Sequence, residues 1–196
     1  DRETRKRIDD TLKWIEEDLT SPAAKKAKWR ILMMHHPYTD PFNNRYIVPI
    51  AERCGVPLIL RGNAEQARQL GISHLQLSFA EAIAAPLPQD FDNIGVSVHS
   101  LEEALTAQKL GADTVTYGHI FTSPCKPGLP PRGTAALDEI VRACTIPVYA
   151  IGGITSDTLP FLLPIHPAAA CLMSASMTAP EPETLTTRLR RIVGRA

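Results

Sequence analysis

The sequence predicts an α/β protein built on a parallel β-sheet. Short runs of β-branched and other apolar residues alternate with amphipathic segments along most of the 196 residues. The strand-like runs recur at intervals of roughly 20–25 residues, which leaves room for one helix between consecutive strands. Glycines and capping residues mark the expected helix ends. Repeated strand–helix–strand units favour right-handed crossovers and therefore parallel strands.

The N-terminal part carries two predicted helices and one predicted strand. Residues 3–19 place apolar side chains at helical spacing on one face and charged side chains on the other, which predicts an amphipathic helix. Residues 29–34 form an apolar run that predicts a buried strand ending at His35. Residues 43–53 predict a second helix, and Gly55 is its stop signal.

Beyond Gly55 the alternation becomes regular. Ser100 precedes one amphipathic run and Glu103 follows three residues later, which is the spacing of a capping box. Gly111 then marks the end of that helix. In this part of the chain the predicted strands are residues 57–61, 74–78, 94–98, 114–121, 147–153 and 170–174, and the predicted helices are residues 64–70, 101–110, 134–144, 156–163 and 181–193.

The number of elements leaves two architectures open. About seven strands and about seven helices make a barrel one strand short of the (β/α)8 type. Because the chain opens on a helix, the absent strand should be the first. An open doubly wound sheet is the alternative, although no GxGxxG turn supports a dinucleotide-binding version. At about 150 residues per domain, we expect a single domain over residues 1–196, and its two parts, residues 1–55 and 56–196, could still differ in origin.

Composition excludes several classes of partner. The 21 basic and 21 acidic residues cancel, so no net field recruits nucleic acid or an anionic membrane. No apolar stretch approaches the roughly 18 residues of a membrane helix, and the charged N-terminus is unlike a secretory signal. The four cysteines form no CxxC pair, which predicts reduced thiols in a cytoplasmic protein. We expect a small-molecule substrate, and the sequence leaves open whether the protein forms a homo-oligomer.

The candidate catalytic residue lies in the predicted strand 114–121. His119 follows Gly118 near the carboxyl end of that strand, where parallel α/β proteins place their chemistry. An imidazole can act there as a general acid or base. The structural alternative is a core histidine whose ring is satisfied by a backbone carbonyl.

The loop after this strand offers candidate substrate contacts among prolines and glycines. Lys126 and Arg132 carry charges that could neutralise a carboxylate or phosphate, or could simply be solvated. Thr122 is a candidate hydrogen-bond donor to the substrate. Cys125 is a candidate proton carrier, but without a neighbouring base we favour packing.

Two segments near the ends of later strands are candidates for a phosphate site. Gly152 and Gly153 end the predicted strand 147–153, and glycines allow backbone N–H groups to approach an anion. Ser174 ends the last predicted strand. A tight strand-to-helix turn would explain the paired glycines equally well.

Several stretches are similar to those of a known family: residues 95–104, 111–121, 125–126, 132–133, 146–154 and 173–174. From about Val56 onward the chain resembles the thiazole tautomerase branch of the thiamine phosphate synthase superfamily. The resemblance implies a (β/α)8 barrel and a metal-free, cofactor-free isomerase that aromatises a carboxylated thiazole phosphate in thiamine biosynthesis. It also implies that His119 is the acid/base group and that Gly152, Gly153 and Ser174 hold the phosphate.

The alternative within the superfamily is thiamine phosphate synthase, a transferase. That branch holds magnesium pyrophosphate with carboxylates after its third and fourth strands. The corresponding positions here are Asn63 and Ser78-Phe79. Since magnesium prefers charged oxygen ligands, the sequence favours proton transfer over group transfer.

The first 55 residues resemble a different family. Residues 14–18, 28–37 and 46–50 are similar to a fragment of a calcineurin-like metallophosphoesterase. Its metal motifs are absent, and adjacent strand residues such as His35 and His36 point to opposite faces, so no metal site is expected. The sequence could therefore be a composite, and a chimeric scaffold with little or no activity stays open.

Overall fold

The structure is a computed structural model that describes residues 48–55 and 57–194, together with residues 6, 13, 16, 17 and 20–22. The chain divides into two compact units, residues 1–74 and residues 75–196. The boundary falls at the start of the second described strand.

The first unit contains helix α1 (Val48–Arg53), strand β1 (Ile59–Arg61) and helix α2 (Ala64–Gln69). Asn63 caps α2, because its side-chain oxygen accepts a hydrogen bond from Gln66 N at 3.1 Å. The described positions within the predicted helix 3–19 are helical. The predicted strand 29–34 lies outside the described residues.

The second unit contains the rest of the strand and helix alternation. Strand β2 (His74–Ser78) leads into it, and a 3-10 helix covers Leu159–Ile165. The other strands are β3 (Asn93–Val98), β4 (Thr114–Gly118), β5 (Val148–Ile151) and β6 (Ala169–Cys171), and the other helices are α3 (Phe79–Ala84), α4 (Leu101–Lys109), α5 (Gly133–Ala143), α6 (Ser174–Met177) and α7 (Pro182–Val193).

The strands of this unit lie side by side in chain order, β2-β3-β4-β5-β6. The pairs β3–β4, β4–β5 and β5–β6 are parallel. Parallel neighbours in chain order, connected through helices, are the arrangement found in TIM-type barrels. The expected α/β class with a parallel sheet is therefore confirmed.

The two faces of the sheet differ in polarity. Register aligns Val96, Val115 and Val148 on one face, and all three are buried. Helices α3, α4 and α5 pack against these strands. The opposite face carries Ser97 and Thr116, both half-buried, because side chains alternate along a strand. The apolar core therefore lies between the sheet and its helices.

Every strand predicted between residues 57 and 174 is found in the structure, whereas the set of helices differs from the prediction. Six predicted strands are observed as β1 to β6, and the expected count of seven with a missing first strand stays a prediction. Helices α3 and α6 were not predicted, and Ser174, expected to end a strand, begins α6. The segment 156–163 was expected to be α-helical, and a 3-10 helix over Leu159–Ile165 is found there, with Pro164 in its interior, where proline lacks the N–H group that an α-helix needs.

None of the helices that the structure describes is long and apolar enough to span a lipid bilayer.

Candidate functional site

The candidate site lies at the edge where the parallel strands of the second unit end. β3 is followed by His99, β4 by His119, β5 by Gly152-Gly153, and β6 by a short segment that reaches Ser174. Because parallel strands end on the same side of a sheet, these residues share one edge.

The segment after β4 stays alongside the end of β5. The predicted strand 114–121 ends at Gly118, three residues early, yet Ile120 N donates to Ile151 O and Phe121 N donates to Gly152 O, both at 3.0 Å. The backbone hydrogen bonds between these two segments thus continue beyond the regular β4–β5 pairing. His119 is consequently held against the turn that follows β5.

Gly152 and Gly153 are required by this close approach. Their φ angles are +100° and +66°, in the region that favours glycine. A Cβ atom on Gly152 would overlap the Cβ of His119, and a Cβ on Gly153 would lie 2.5 Å from Thr122 O and 2.6 Å from Phe121 O. Packing of backbone on backbone therefore explains both glycines without a ligand. The same conformation leaves the Gly153 N–H without a hydrogen-bond partner among residues 57–194.

The His119 side chain is half-exposed and has one weak polar contact in the described chain. Its Nε2 atom lies 3.4 Å from Leu129 O, which is longer than most hydrogen bonds of this type. The ring is thus close to the Gly152 turn and to the following loop, while its hydrogen-bonding capacity is largely unused.

The loop of residues 122–132 closes back onto the end of β4. Arg132 N donates to His119 O, and Gly133 N donates to Ile120 O, both at 3.0 Å. Inside the loop, Ser123 is buried and Lys126 N donates to Ser123 O at 3.0 Å. These bonds give the loop a defined path and place its base beside the candidate catalytic histidine.

Arg132 joins the ends of two strands through its side chain. Its Nε donates to Gly118 O at 3.0 Å, and its Nη1 donates to His99 O at 2.6 Å. Charge-assisted hydrogen bonds of this kind are stronger than neutral ones. Two of its donors are therefore engaged with the protein backbone, in a role that the sequence analysis did not anticipate.

The loop also reaches the segment that follows β6. Cys125 Sγ lies 3.1 Å from Ser174 Oγ, within the range of a weak sulfur hydrogen bond. Lys126, the next residue, is exposed, and its ammonium group has no bonding partner in the described part of the chain. The structure thus brings two groups of predicted site residues together: His119, Thr122, Gly152 and Gly153 in one, and Cys125 and Ser174 in the other.

His99 was not assigned to the site from the sequence, although it directly follows a strand end. Its Nδ1 atom lies 2.8 Å from Gly118 O, so it shares this acceptor with Arg132. Its signal in the sequence is its position directly after residues 94–98, although the capping motif that begins at Ser100 also explains the local residues.

Three groups on strands β4, β5 and β6 have a pKa that burial raises. Desolvation raises the pKa of Tyr149 and of Cys171 above their ordinary values. Burial also raises the pKa of Tyr117, against the opposing influence of the Arg132 charge. These three groups are therefore neutral at pH 7 and act as packing or hydrogen-bonding groups.

The residues at the expected magnesium positions do not fit a metal. Asn63 Oδ1 is used to cap α2, and Ser78 Oγ accepts a hydrogen bond from Glu81 N at 3.3 Å to cap α3. No cluster of three or more histidine, cysteine, aspartate or glutamate residues occurs within the described ranges. We therefore derive no step through a metal ion.

A parallel sheet with polar loops at the carboxyl ends of its strands is the arrangement of α/β proteins of the TIM type, in which those loops carry the functional residues. The sequence model of the family described as thiamine monophosphate synthase matches residues 43–175. The chain belongs to this family.

Individual relatives carry consistent names. A thiamine-phosphate synthase of Roseiflexus castenholzii is 32% identical over 151 residues, covering 73% of this chain and 64% of the relative. That of Pyrococcus furiosus is 38% identical over 125 residues, covering 64% of this chain and 58% of the relative. This chain thus spans less than two thirds of the length of these curated relatives.

Solved structures are similar to most of the chain. Thiamine phosphate pyrophosphorylase from Pyrococcus furiosus aligns with a TM-score of 0.66 at 27% identity, covering 83% of this chain and 80% of that one. A 3-hexulose-6-phosphate synthase from Salmonella typhimurium aligns with a TM-score of 0.59 at 15% identity, covering 79% and 83%, and shows the fold alone.

The prediction of a thiazole tautomerase is wrong on these findings. The relatives are thiamine-phosphate synthases, which supports the transferase alternative. The motifs behind the prediction all lie within the matched residues 43–175, so they identify the superfamily and do not separate its branches. The metallophosphoesterase resemblance of residues 1–55 is not shown by these comparisons and stays a hypothesis; the family match already begins at residue 43.

Proposed function

We propose that this chain is a transferase of the thiamine-phosphate synthase class. It would join an aminopyrimidine pyrophosphate to a thiazole phosphate, giving thiamine phosphate. A bond forms between the pyrimidine methylene carbon and the thiazole nitrogen, while the bond from that carbon to the pyrophosphate oxygen breaks. The electron pair of the broken bond leaves with pyrophosphate. Family membership and the names of the relatives support this reaction.

One contact in the structure carries the assignment of the site. Because Cys125 Sγ lies 3.1 Å from Ser174 Oγ, the cationic loop after β4 meets the segment after β6. Both proposed substrates are anions, so a site for them needs a positive charge and exposed donors in one place. Lys126 supplies the charge. Ser174 and the Gly153 amide supply neutral donors, and Gly152 shapes the turn that presents that amide.

The remaining predicted residues take supporting parts in this proposal. His119 contacts the substrate in this proposal. The proton transfer between carbon atoms that the tautomerase prediction assigned to it is not needed for group transfer. Thr122 is exposed beside Gly153, where its hydroxyl can donate to the phosphate. Arg132 contributes positive charge while its guanidinium holds the strand ends, and Cys125 orients Ser174. The proposal also includes a cytoplasmic location.

The test is the formation of thiamine phosphate from the two substrates, followed together with pyrophosphate release. Lys126→Ala should lower kcat/KM by about 10-fold or more, because a charge-assisted contact to an anion is lost. Lys109→Ala is the matched control, since Lys109 is also an exposed lysine but lies in the last turn of α4.

Two outcomes would contradict the proposal. If the wild-type chain forms no thiamine phosphate, the reaction is wrong. If Lys126→Ala and Lys109→Ala have the same activity as the wild type, the reaction stands but the cationic loop is not its anion site.

A further inference from the structure

His99 is a histidine at the strand ends that the proposed reaction does not yet use. Its Nδ1 atom lies 2.8 Å from Gly118 O. A carbonyl oxygen only accepts hydrogen bonds, so Nδ1 carries the proton in this contact. In the neutral ring this leaves Nε2 as a hydrogen-bond acceptor.

The orientation of this ring is fixed from several sides. His99 N donates to Glu103 Oε2 at 2.6 Å, and His99 O accepts from Arg132 Nη1 at 2.6 Å. Arg132 Nε donates to the same Gly118 oxygen that receives the ring proton. Backbone and ring are thus held before any ligand arrives, which lowers the ordering cost of binding.

The Nε2 atom of His99 has no hydrogen-bond partner within residues 48–55 and 57–194, and the residue is exposed. Gly118, whose oxygen holds the ring, directly precedes His119. The groups assigned above to anion binding, Lys126 and the Gly153 amide, are donors. A fixed acceptor on the same edge complements them and fits a ligand group that donates a proton.

We propose that His99 Nε2 contacts the substrate and accepts a hydrogen bond from an N–H group on its aromatic ring. This inference rests on the proposed function, in which the pyrimidine ring of thiamine phosphate carries an exocyclic amino group. The phosphate at the other end of the molecule is left to the donors of the loop and of the Gly152 turn. His99 therefore determines which ring is accepted, and the donors determine that it carries a phosphate.

The experiment measures binding of two probes by calorimetry. Thiamine phosphate carries the amino group, and oxythiamine phosphate carries an oxygen in its place. Wild-type protein should bind thiamine phosphate about 5- to 10-fold more tightly, because one net hydrogen bond separates the two probes. His99→Asn keeps an N–H donor near the position of Nδ1 but has no atom at Nε2, so it should bind both probes with similar affinity.

His166→Asn is the matched control. His166 is exposed, and its φ of +57° lies in a region that asparagine tolerates. This variant should keep the full preference for thiamine phosphate. A merely structural role of His99 would weaken both probes equally and leave their ratio unchanged.

The outcomes separate the inference from the function beneath it. If wild-type protein binds thiamine phosphate but shows no preference over oxythiamine phosphate, or if His99→Asn keeps the preference, the inference is overturned alone. If His99→Asn does not fold, the wild-type protein is compared with His99→Gln instead. The amide oxygen of this glutamine can reach the position of Nε2, so His99→Gln should keep the preference for thiamine phosphate, and its loss there would overturn the inference. If wild-type protein does not bind thiamine phosphate at all, the proposed function fails and the inference with it.

Discussion

Substitution of Gly153 by alanine tests whether the turn after β5 is shaped by backbone packing. The φ angle of Gly153 is +66°, and the left-handed conformation costs a residue with a Cβ about 1–2 kcal/mol. The added Cβ would also lie 2.5 Å from Thr122 O and 2.6 Å from Phe121 O, backbone atoms that cannot rotate away. Overpacking of this kind costs about 1–3 kcal/mol. The two effects together predict a loss of about 2–5 kcal/mol in the free energy of unfolding.

Gly128→Ala is the control that separates the two effects. Gly128 has a φ of +76°, but a Cβ placed on it meets nothing within 4 Å. This variant should lose only the conformational part, about 1–2 kcal/mol. Urea unfolding followed by circular dichroism gives both values. Equal losses in the free energy of unfolding of the two variants would refute the packing argument. The requirement for glycine at position 153 would then have to be explained by ligand binding.

Three further predictions concern single contacts. Ser100→Ala removes the N-cap whose Oγ accepts from Glu103 N at 3.1 Å, and should cost about 0.5–2 kcal/mol in urea unfolding, a loss that Ser100→Thr should largely avoid. Burial raises the pKa of the Cys171 thiol, so its contribution to stability should be complete below the ordinary value of 9.0 and decline as pH rises above it. Comparison of unfolding curves with Cys171→Ala from pH 7 to 10 checks this, and an unchanged slope in the variant would contradict it. Arg188→Ala breaks the 2.7 Å contact with Asp157, yet both side chains are more than half exposed, so thermal unfolding should reveal a loss of less than about 1 kcal/mol; a larger loss would show that the pair is not solvent-screened.

The family assignment shows how far motif evidence extends. The motifs at and around the strand ends between residues 95 and 174 identified the superfamily correctly, but the activity chosen within it was wrong. Those residues lie at strand ends that related enzymes share. The choice between proton transfer and group transfer depends instead on which side chains contact the substrate together. A single sequence does not show which side chains come together at the substrate.

Local signals in the sequence were sufficient for most of the secondary structure. Short runs of β-branched and other apolar residues predicted β1 to β6, and the Ser100 cap and the Gly111 stop bounded helix α4 within a residue. Helix α3 was missed because it follows β2 without a break, so that Ser78 is both the end of the strand and the cap of the helix. The helix predicted over 156–163 is found as a 3-10 helix over Leu159–Ile165, and its interior Pro164 lacks the N–H group that an α-helix needs.

The sequence by itself therefore determined the alternation of strands and helices, the parallel α/β class and the residues that follow the strand ends. These features depend on periodicity and capping, which act between residues a few positions apart. The tertiary structure decided that Gly118 O receives both His99 and Arg132, that Gly152 packs on His119, and that Cys125 meets Ser174. The sequence separations of the three side-chain contacts are 19, 14 and 49 residues, so they are set by strand register and loop path, which no local pattern specifies.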